Sequence, residues 1–148
     1  MEAMIVFTAG ASVYPLIETI WRGYSHWTMQ LLGGICFLII YYTEKKSRGT
    51  RLQRCIFETA CITAAELLSG IVFNIILGMD VWDYSGVPFN FLGQICAEYT
   101  AFWFLLTAAL TYVCAWMRKS LRQYSWGDYR DSYHKWILIN LIKIKYFR

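Results

Sequence analysis

The stretch CIFETACITAAELLSGIVFNIILG, at residues 55–78, decides the fold of this chain. A helix rises about 1.5 Å per residue, so this stretch is long enough to cross the ~30 Å hydrocarbon core of a bilayer. Residues 3–21, 27–43 and 91–116 form three further apolar stretches of near-spanning length. The sequence therefore predicts an all-α integral membrane protein with four transmembrane helices within residues 1–116.

The composition argues against several classes of protein. Hydrophobic residues make up 57% of the chain and charged residues only 16%, against about 25% in an ordinary soluble domain. No arm rich in lysine and arginine is joined to a soluble domain, so nucleic-acid binding is not expected. The five cysteines lie in apolar segments without a Cys-x-x-Cys pair, which argues against a disulfide framework and favours a role in helix packing.

The basic residues predict the orientation in the membrane. All lysines and arginines except Arg22 lie in residues 44–54 or 118–148. Because loops rich in these residues stay on the cytoplasmic side, both regions are predicted to be cytoplasmic. The first residues lack the basic start of a signal peptide, so we expect an uncleaved first span. With four spans, the N- and C-termini are then both cytoplasmic.

The tail, residues 117–148, mixes basic and aromatic residues around an apolar stretch at 136–144 that is too short to span a membrane. This pattern is typical of an amphipathic helix that lies at the membrane interface. The alternative interpretation is a helix that docks a partner protein.

Two short runs of the sequence resemble each other. LGGIC at residues 32–36 and LGQIC at residues 92–96 each follow an aromatic outer loop. Each loop is preceded by a segment that carries a glutamate, Glu18 or Glu66. This favours two repeated helix pairs, with a site at the interface of the repeats. The glycines of both runs predict close contacts between helices.

Four glutamates lie within or beside the apolar stretches: Glu18, Glu58, Glu66 and Glu98. A bare carboxylate in hydrocarbon costs several kcal/mol, so such residues mark candidate functional sites. Glu18 and Glu58 each have an arginine four residues away, which predicts a local ion pair at each membrane boundary. Glu66 and Glu98 have none, and if these two meet across the bundle we expect them to share a proton or a cation.

Other polar residues complete two candidate sites. Gly70 and Asn74 follow Glu66 at helical spacing, so the three residues share one helix face. The predicted substrate-binding site comprises Glu66, Glu98, Asn74, Gln94 and Asn90. The predicted polar cluster at the outer interface comprises Glu18, Arg22, His26, Trp82, Asp83 and Tyr84. The alternatives are a structural, hydrogen-bonded Glu66 and a solvated His26. Neither a catalytic residue nor a metal site is predicted, because the donors for a metal are too few.

The run WDYSGVPFN, at residues 82–90, predicts an outer turn. Asp83 can form an Asx turn, and Pro88 or Asn90 is suited to the first turn or the cap of the fourth helix. The run is either a tight re-entry turn or a lid over a cavity that faces outward.

The sequence also resembles a known family. The pattern WDYSxxPFNxxGQIC at residues 82–96, together with Glu66, resembles small bacterial multi-pass membrane proteins assigned as ABC transporter permeases. The pattern ExxxRGxxHWxM at residues 18–29, followed by GGIC, is also similar to theirs, and the resemblance covers most of residues 14–104. It implies a permease component in the bacterial cytoplasmic (inner) membrane. The chain has no GxxxxGK[S/T] phosphate loop, so any ATPase is expected to be a separate subunit.

The function predicted from these observations is that of a small transporter or permease component with a polar intramembrane site. We expect it to work in the lipid bilayer as a homo-oligomer, without a cofactor. One alternative is a holin-like or accessory membrane protein that acts through partner proteins. Another is a membrane-embedded enzyme that acts on a lipid-linked substrate through Glu18, His26 and Asp83. The enzyme is less favoured, because the chain has no ATP-binding or catalytic-triad motif.

Overall fold

The computed structural model describes residues 1–146, with side chains over residues 1–122. In chain order the elements are α1 (Glu2–Arg22), α2 (Trp27–Lys46), α3 (Arg51–Gly70), a π-helical segment (Ile71–Ile76), β1 (Asn90–Phe91), β2 (Ile95–Cys96) and α4 (Ala97–Tyr146). The contacts divide the chain into two units. The first, Met1–Cys114, holds α1 to α3, both strands and the start of α4, and the second, Ala115–Arg148, holds the remainder of α4.

Three helical stretches are long and apolar enough to cross a membrane: Glu2–Arg22, Arg51–Ile76 and Ala97–Arg122. Large apolar side chains on them are exposed, such as Ile20 and Leu105, as contact with lipid requires. The helical, membrane-protein class is thereby confirmed. Of the helices described, α2, which we predicted as the second span, is not among the three.

The helix α2 lies at the centre of the first unit. It packs against α1 and against α3. It has nine buried residues, against three on α1 and six on α3. Its polar residues Thr28 and Tyr41 are buried against protein, so this helix does not need the uniformly apolar surface of one that faces lipid.

Close contact between α1 and α2 depends on glycine. A Cβ atom at Gly33 would lie 2.5 Å from Cβ of Tyr14 and 2.9 Å from the carbonyl oxygen of Gly10. A Cβ atom at Gly10 would lie 2.5 Å from the carbonyl oxygen of Gly33. The backbones can approach this closely only because both positions lack a side chain, as the sequence predicted for Gly33.

The segment before α4 differs from the prediction. The helix begins at Ala97 and not at Phe91, because β1 and β2 form an antiparallel hairpin with Asn90 opposite Cys96. Leu92 and Gly93 at the turn have φ of 54° and 67°, and such a conformation ends helical geometry. Asn90 Oδ1 accepts a hydrogen bond from the Gly93 N–H at 3.2 Å, so Asn90 caps this turn instead of a helix.

The two runs that predicted a repeated helix pair therefore adopt different structures. Residues 32–36 are helical within α2, whereas residues 92–96 form the turn and second strand of the hairpin. Gly93 supplies a positive φ there and does not provide a contact between helices.

One of the two predicted boundary ion pairs is wrong. Arg54 does not pair with Glu58, because its guanidinium binds Glu44 at 2.9 Å and the Gly49 carbonyl at 2.7 Å. Glu58 is fully buried, and neither of its carboxyl oxygens has a hydrogen-bond partner in the described part of the chain. The predicted pair between Glu18 and Arg22 is confirmed.

The tail is helical over its described residues, the last of which is Tyr146. Its predicted amphipathic surface depends on side chains after residue 122, and these lie outside the described side chains.

Candidate functional site

A cavity of about 460 Å³ lies within the first unit. It is bounded by residues of α1, α2, α3, the loop after the π-helical segment, and the start of α4. Half of its lining residues are aromatic, and the lining also contains three charged residues: Glu18, Arg22 and Glu66. The aromatic lining residues are Tyr14, Trp21, Trp82, Tyr84, Tyr99, Phe102 and Trp103.

Glu66 is the buried acid of this cavity. It lies on α3 and is 3% exposed. The Tyr84 hydroxyl donates a hydrogen bond to Oε1 at 3.1 Å, and the Trp103 indole N–H donates one to Oε2 at 3.1 Å. Each carboxyl oxygen is therefore bound by a neutral donor, and no basic side chain of the described residues is bonded to it.

The Tyr84 phenol keeps its proton in this position. Burial, and then the neighbouring Glu66 carboxyl, raise the pKa of Tyr84 above its usual value. The hydroxyl is therefore a donor to Glu66 at every ordinary pH, and its ring is held at the wall of the cavity.

Glu18, the other acid of the cavity, is bound quite differently. Arg22 and Ser25 both donate hydrogen bonds to its carboxylate, one to each oxygen. Arg22 also reaches the Val81 carbonyl at 3.5 Å, which joins the end of α1 to the loop after the π-helical segment. Glu18 and Arg22 neutralise each other, so this part of the cavity wall carries no net charge.

Stacked rings fix the aromatic wall beside Glu66. Tyr14 of α1 stacks on Trp103 of α4 with ring centroids 5.6 Å apart. Tyr84 stacks on Tyr99 at 4.6 Å. Two of these four rings, Tyr84 and Trp103, are also the donors to Glu66, so the carboxyl group and the ring pairs hold one another in place.

The π-helical segment anchors the loop that carries Tyr84. Asn74 Nδ2 donates to the Trp82 carbonyl at 2.9 Å and to Gln94 Oε1 at 2.7 Å, and Asn74 Oδ1 accepts from the Val81 N–H at 2.7 Å. The Trp82 indole N–H donates to the Gln94 carbonyl at 3.0 Å. Single π-helical turns often occur at functional sites. Here the π-helical segment carries Asn74, whose side chain binds Val81 and Trp82 in the loop and Gln94 in the hairpin turn.

The structure brings together only part of each predicted site. Of the predicted substrate-binding residues, Glu66 lines the cavity, while Asn74 and Gln94 hold the loop through hydrogen bonds outside the cavity lining. Glu98 is exposed in the first turn of α4. Glu66 is bonded to Tyr84 and Trp103 instead, so the predicted pair of Glu66 with Glu98 does not form.

The remaining predicted residues have local roles. Asn90 donates to the carbonyls of Ser85 and Val87, and His26 Nδ1 caps α2 through the Thr28 N–H. Asp83 forms the predicted Asx turn and accepts from both the backbone N–H and the hydroxyl of Ser85, which hold the pKa of Asp83 below its usual range. Over the described residues, no group of three histidine, cysteine or acidic side chains is placed to hold a metal ion.

From the predicted outer cluster, Glu18, Arg22, Trp82 and Tyr84 line the same cavity as Glu66. These four residues and Glu66, which the sequence assigned to two sites, therefore belong to one cavity. The reason is that the loop after the π-helical segment folds inward onto Asn74 and carries Trp82 and Tyr84 with it.

Sequence reasoning missed the aromatic partners of Glu66. Tyr14 precedes Glu18 by four residues, and Tyr99 precedes Trp103 by four, so each pair lies on one helix face. That spacing was a usable signal. Glu66 and Trp103 carry no such signal, because they are 37 positions apart in the sequence and only the tertiary fold brings them together.

A family model described as "Putative ABC-transporter type IV" matches residues 3–142, which is most of the chain. No solved structure matches the chain.

Proposed function

Since the chain belongs to the family described as "Putative ABC-transporter type IV", we propose that it is the membrane-spanning permease component of a transporter. The observation that carries this proposal is the cavity around the buried Glu66, in a bundle with three helices able to span a membrane. A cavity of about 460 Å³ lies in the usual range for small-molecule sites. The family membership supports a transport-related role, and the cavity gives that role a place for the solute.

We assign ATP hydrolysis to a separate subunit, because the chain carries no phosphate-loop motif. We also propose that the chain works as a homo-oligomer. One cavity of this size does not extend across a bilayer, and exposed apolar side chains on α1, α3 and α4 offer surfaces for further copies as well as for lipid.

We propose that the chain lies in the bacterial cytoplasmic membrane with both termini in the cytoplasm. This orientation requires α2 to cross as well. Its 20 residues are just sufficient for ~30 Å, and only four residues, Gly23 to His26, join it to α1. The basic connection between α2 and α3 would then be cytoplasmic, and the loop after the π-helical segment would face outward.

Cysteine labelling in intact cells tests this orientation. We expect an impermeant maleimide to modify Gly86→Cys in intact cells and Ser47→Cys only after the cells are permeabilised. A Cβ atom at Gly86 meets nothing within 4 Å, and Ser47 is exposed, so both variants should fold. The unsubstituted chain gives the background from its five cysteines. The reverse labelling pattern would contradict the proposed orientation.

The Glu66→Gln variant tests the permease role. Inverted vesicles of the native membrane, which contain the chain together with the proposed ATPase subunit, are supplied with ATP and with labelled cationic, neutral and anionic solutes in turn. We expect one class to accumulate, and we expect Glu66→Gln to reduce that uptake by about tenfold, as the loss of one charged contact would. The substituted amide can still accept from Trp103 and donate to the Tyr84 oxygen, so its loss of charge is the main change.

Glu98→Gln is the matched control, since Glu98 is an exposed carboxylate outside the cavity. Its uptake should equal that of the unsubstituted chain. Equal uptake by the Glu66→Gln vesicles would contradict the role given to Glu66, and the absence of ATP-dependent uptake in every solute class would contradict the permease role. Light scattering of the purified active species supplies the subunit number, and a single active copy would contradict the homo-oligomer.

A further inference from the structure

The charges in the cavity leave one carboxylate without a cationic partner. Glu18 is neutralised by Arg22, whereas Glu66, among the described side chains, is bound by the hydroxyl of Tyr84 and the indole N–H of Trp103 and by no basic group. When Glu66 is ionised, the cavity therefore carries a net charge of about −1. A cation within ~4–6 Å would favour that ionised form of Glu66.

The aromatic rings are placed where such a cation would lie. Tyr84 and Trp103 contact the carboxyl oxygens, and their stacking partners Tyr99 and Tyr14 extend the aromatic surface on two sides. A cation within about 6 Å of a ring centroid is attracted by the negative face of the ring, most strongly where water is excluded. Negative charge and aromatic rings therefore converge on the same volume.

Other classes of ligand fit this volume less well. An anion would meet Glu66, and the one basic lining residue, Arg22, is already bound to Glu18. An inorganic cation such as Mg²⁺ or Ca²⁺ requires several oxygen ligands, while the wall is mostly aromatic and aliphatic. An organic cation requires only the carboxylate and the rings.

The cavity also opens at its side. Trp21 of α1 and Phe102 and Leu105 of α4 line it and are 71%, 47% and 64% exposed. These residues lie on helices long enough to span a membrane, so the opening faces an apolar surface. A ligand with an apolar body can occupy this opening while its charged group reaches Glu66.

We propose that the cavity binds a monovalent organic cation with an apolar body, with Glu66 as its counter-ion and Tyr14, Tyr84, Tyr99 and Trp103 as its aromatic surround. This names the substrate class of the permease and rests on that proposed function. The same ligand class is bound whether it arrives from lipid or from water, because the recognition groups are the same.

Calorimetric titration of the full chain in nanodiscs, without any ATPase, tests the proposal. The probes are benzyltrimethylammonium, its neutral isostere neopentylbenzene and the anion benzenesulfonate. We expect saturable binding of the cation, roughly tenfold tighter than that of the isostere, and no preference for the anion. Equal affinity for the charged and neutral probes, or preferred binding of the anion, would overturn the proposal.

Two sets of variants assign the residues. Glu66→Gln should weaken cation binding by about tenfold. The control variant Glu98→Gln should bind the cation as tightly as the unsubstituted chain does. Tyr99→Leu should weaken cation binding, whereas Tyr99→Phe, which keeps the ring, should not. If Glu66→Gln does not fold, the two Tyr99 variants and the comparison of the three probes still test the proposal. Unchanged cation affinity in Tyr99→Leu would contradict the proposed aromatic part of the site.

Binding and transport can fail separately. Cation binding to the chain without ATP-dependent uptake of any solute class in vesicles would overturn the permease and leave the cation site in place. ATP-dependent uptake restricted to neutral or anionic solutes would support the permease and overturn the cation site.

Discussion

Replacing Gly33 by alanine is expected to force α1 away from α2 and to destabilise the folded chain by about 3 kcal/mol or more. The added methyl group would meet Cβ of Tyr14 at 2.5 Å and the Gly10 carbonyl oxygen at 2.9 Å. Neither atom is the far end of a flexible side chain, so the clash is relieved only if the helices separate. Tyr14 stacks on Trp103, which donates to Glu66, and the cavity is therefore expected to lose its shape as well.

The measurement is the thermal midpoint of the detergent-solubilised chain, followed by circular dichroism, with the yield of monodisperse protein as a second readout. Gly34→Ala should cost less than Gly33→Ala, because its nearest atoms belong to the Phe7 ring, which can rotate away. Gly86→Ala is the matched control and should stay within about 0.5 kcal/mol, since nothing lies within 4 Å. Equal midpoints for Gly33→Ala and Gly86→Ala would show that the close helix contact is absent.

Replacing Asn74 by leucine is expected to release the loop after the π-helical segment and to abolish ligand binding in the cavity. The substitution leaves the Val81 N–H, the Trp82 carbonyl and the Gln94 amide oxygen without the Asn74 side chain in a buried place. Each buried polar group left without a hydrogen-bond partner costs about 1–3 kcal/mol. The loop is therefore expected to open, so that water can bind these groups. Trp82 and Tyr84 would leave the cavity with it.

Hydrogen exchange over residues 77–96 measures this release directly, because the backbone bonds of the loop become open to solvent. Asn90→Ala serves as the control within the same loop. Asn90 also donates to two carbonyls, but it is exposed, so water can replace it and the protection should change little. Unchanged exchange in Asn74→Leu would contradict the anchoring role.

Local features of this molecule could be predicted from the sequence, and features decided by competition between distant groups could not. The Glu18–Arg22 pair was predictable because both residues lie on one helix, one turn apart. Arg54 and Glu58 have the same spacing, but Glu44 approaches Arg54 from the end of α2 and takes its place. The local sequence does not indicate which of two carboxylates an arginine binds when the second one lies on another helix.

The hairpin before α4 was hidden by its composition. Residues 90–96 are as apolar as the helix that follows them, so hydropathy extends the span too far. Leu92 adopts a positive φ, which a leucine rarely does, and a neighbouring network of hydrogen bonds holds it there. The Gln94 N–H bonds the Phe91 carbonyl, and the Tyr84 N–H bonds the Gly93 carbonyl at 2.7 Å.

In the candidate site, too, local features were predictable from the sequence and contacts between distant residues were not. Burial of Glu66, Gly70 and Asn74 on α3 and its π-helical extension agrees with the shared face that their spacing predicts. Glu66 and residues of the outer cluster share one cavity because of the way the loop folds. The contacts of Asn74 with Val81 and Trp82 hold the loop in that position, and the sequence does not show them.

The π-helical segment changes the rotational phase of the third span. Hydrogen bonds in this segment skip one residue more than α-helical ones, so Ile71–Ile76 accommodates the equivalent of a single-residue insertion. If the segment returned to α-helical winding, the residues after it would turn by about 100° around the helix axis. A helical wheel drawn for this span is consequently out of phase after Ile76, and the π-helical winding sets the direction in which the chain leaves the helix at Leu77.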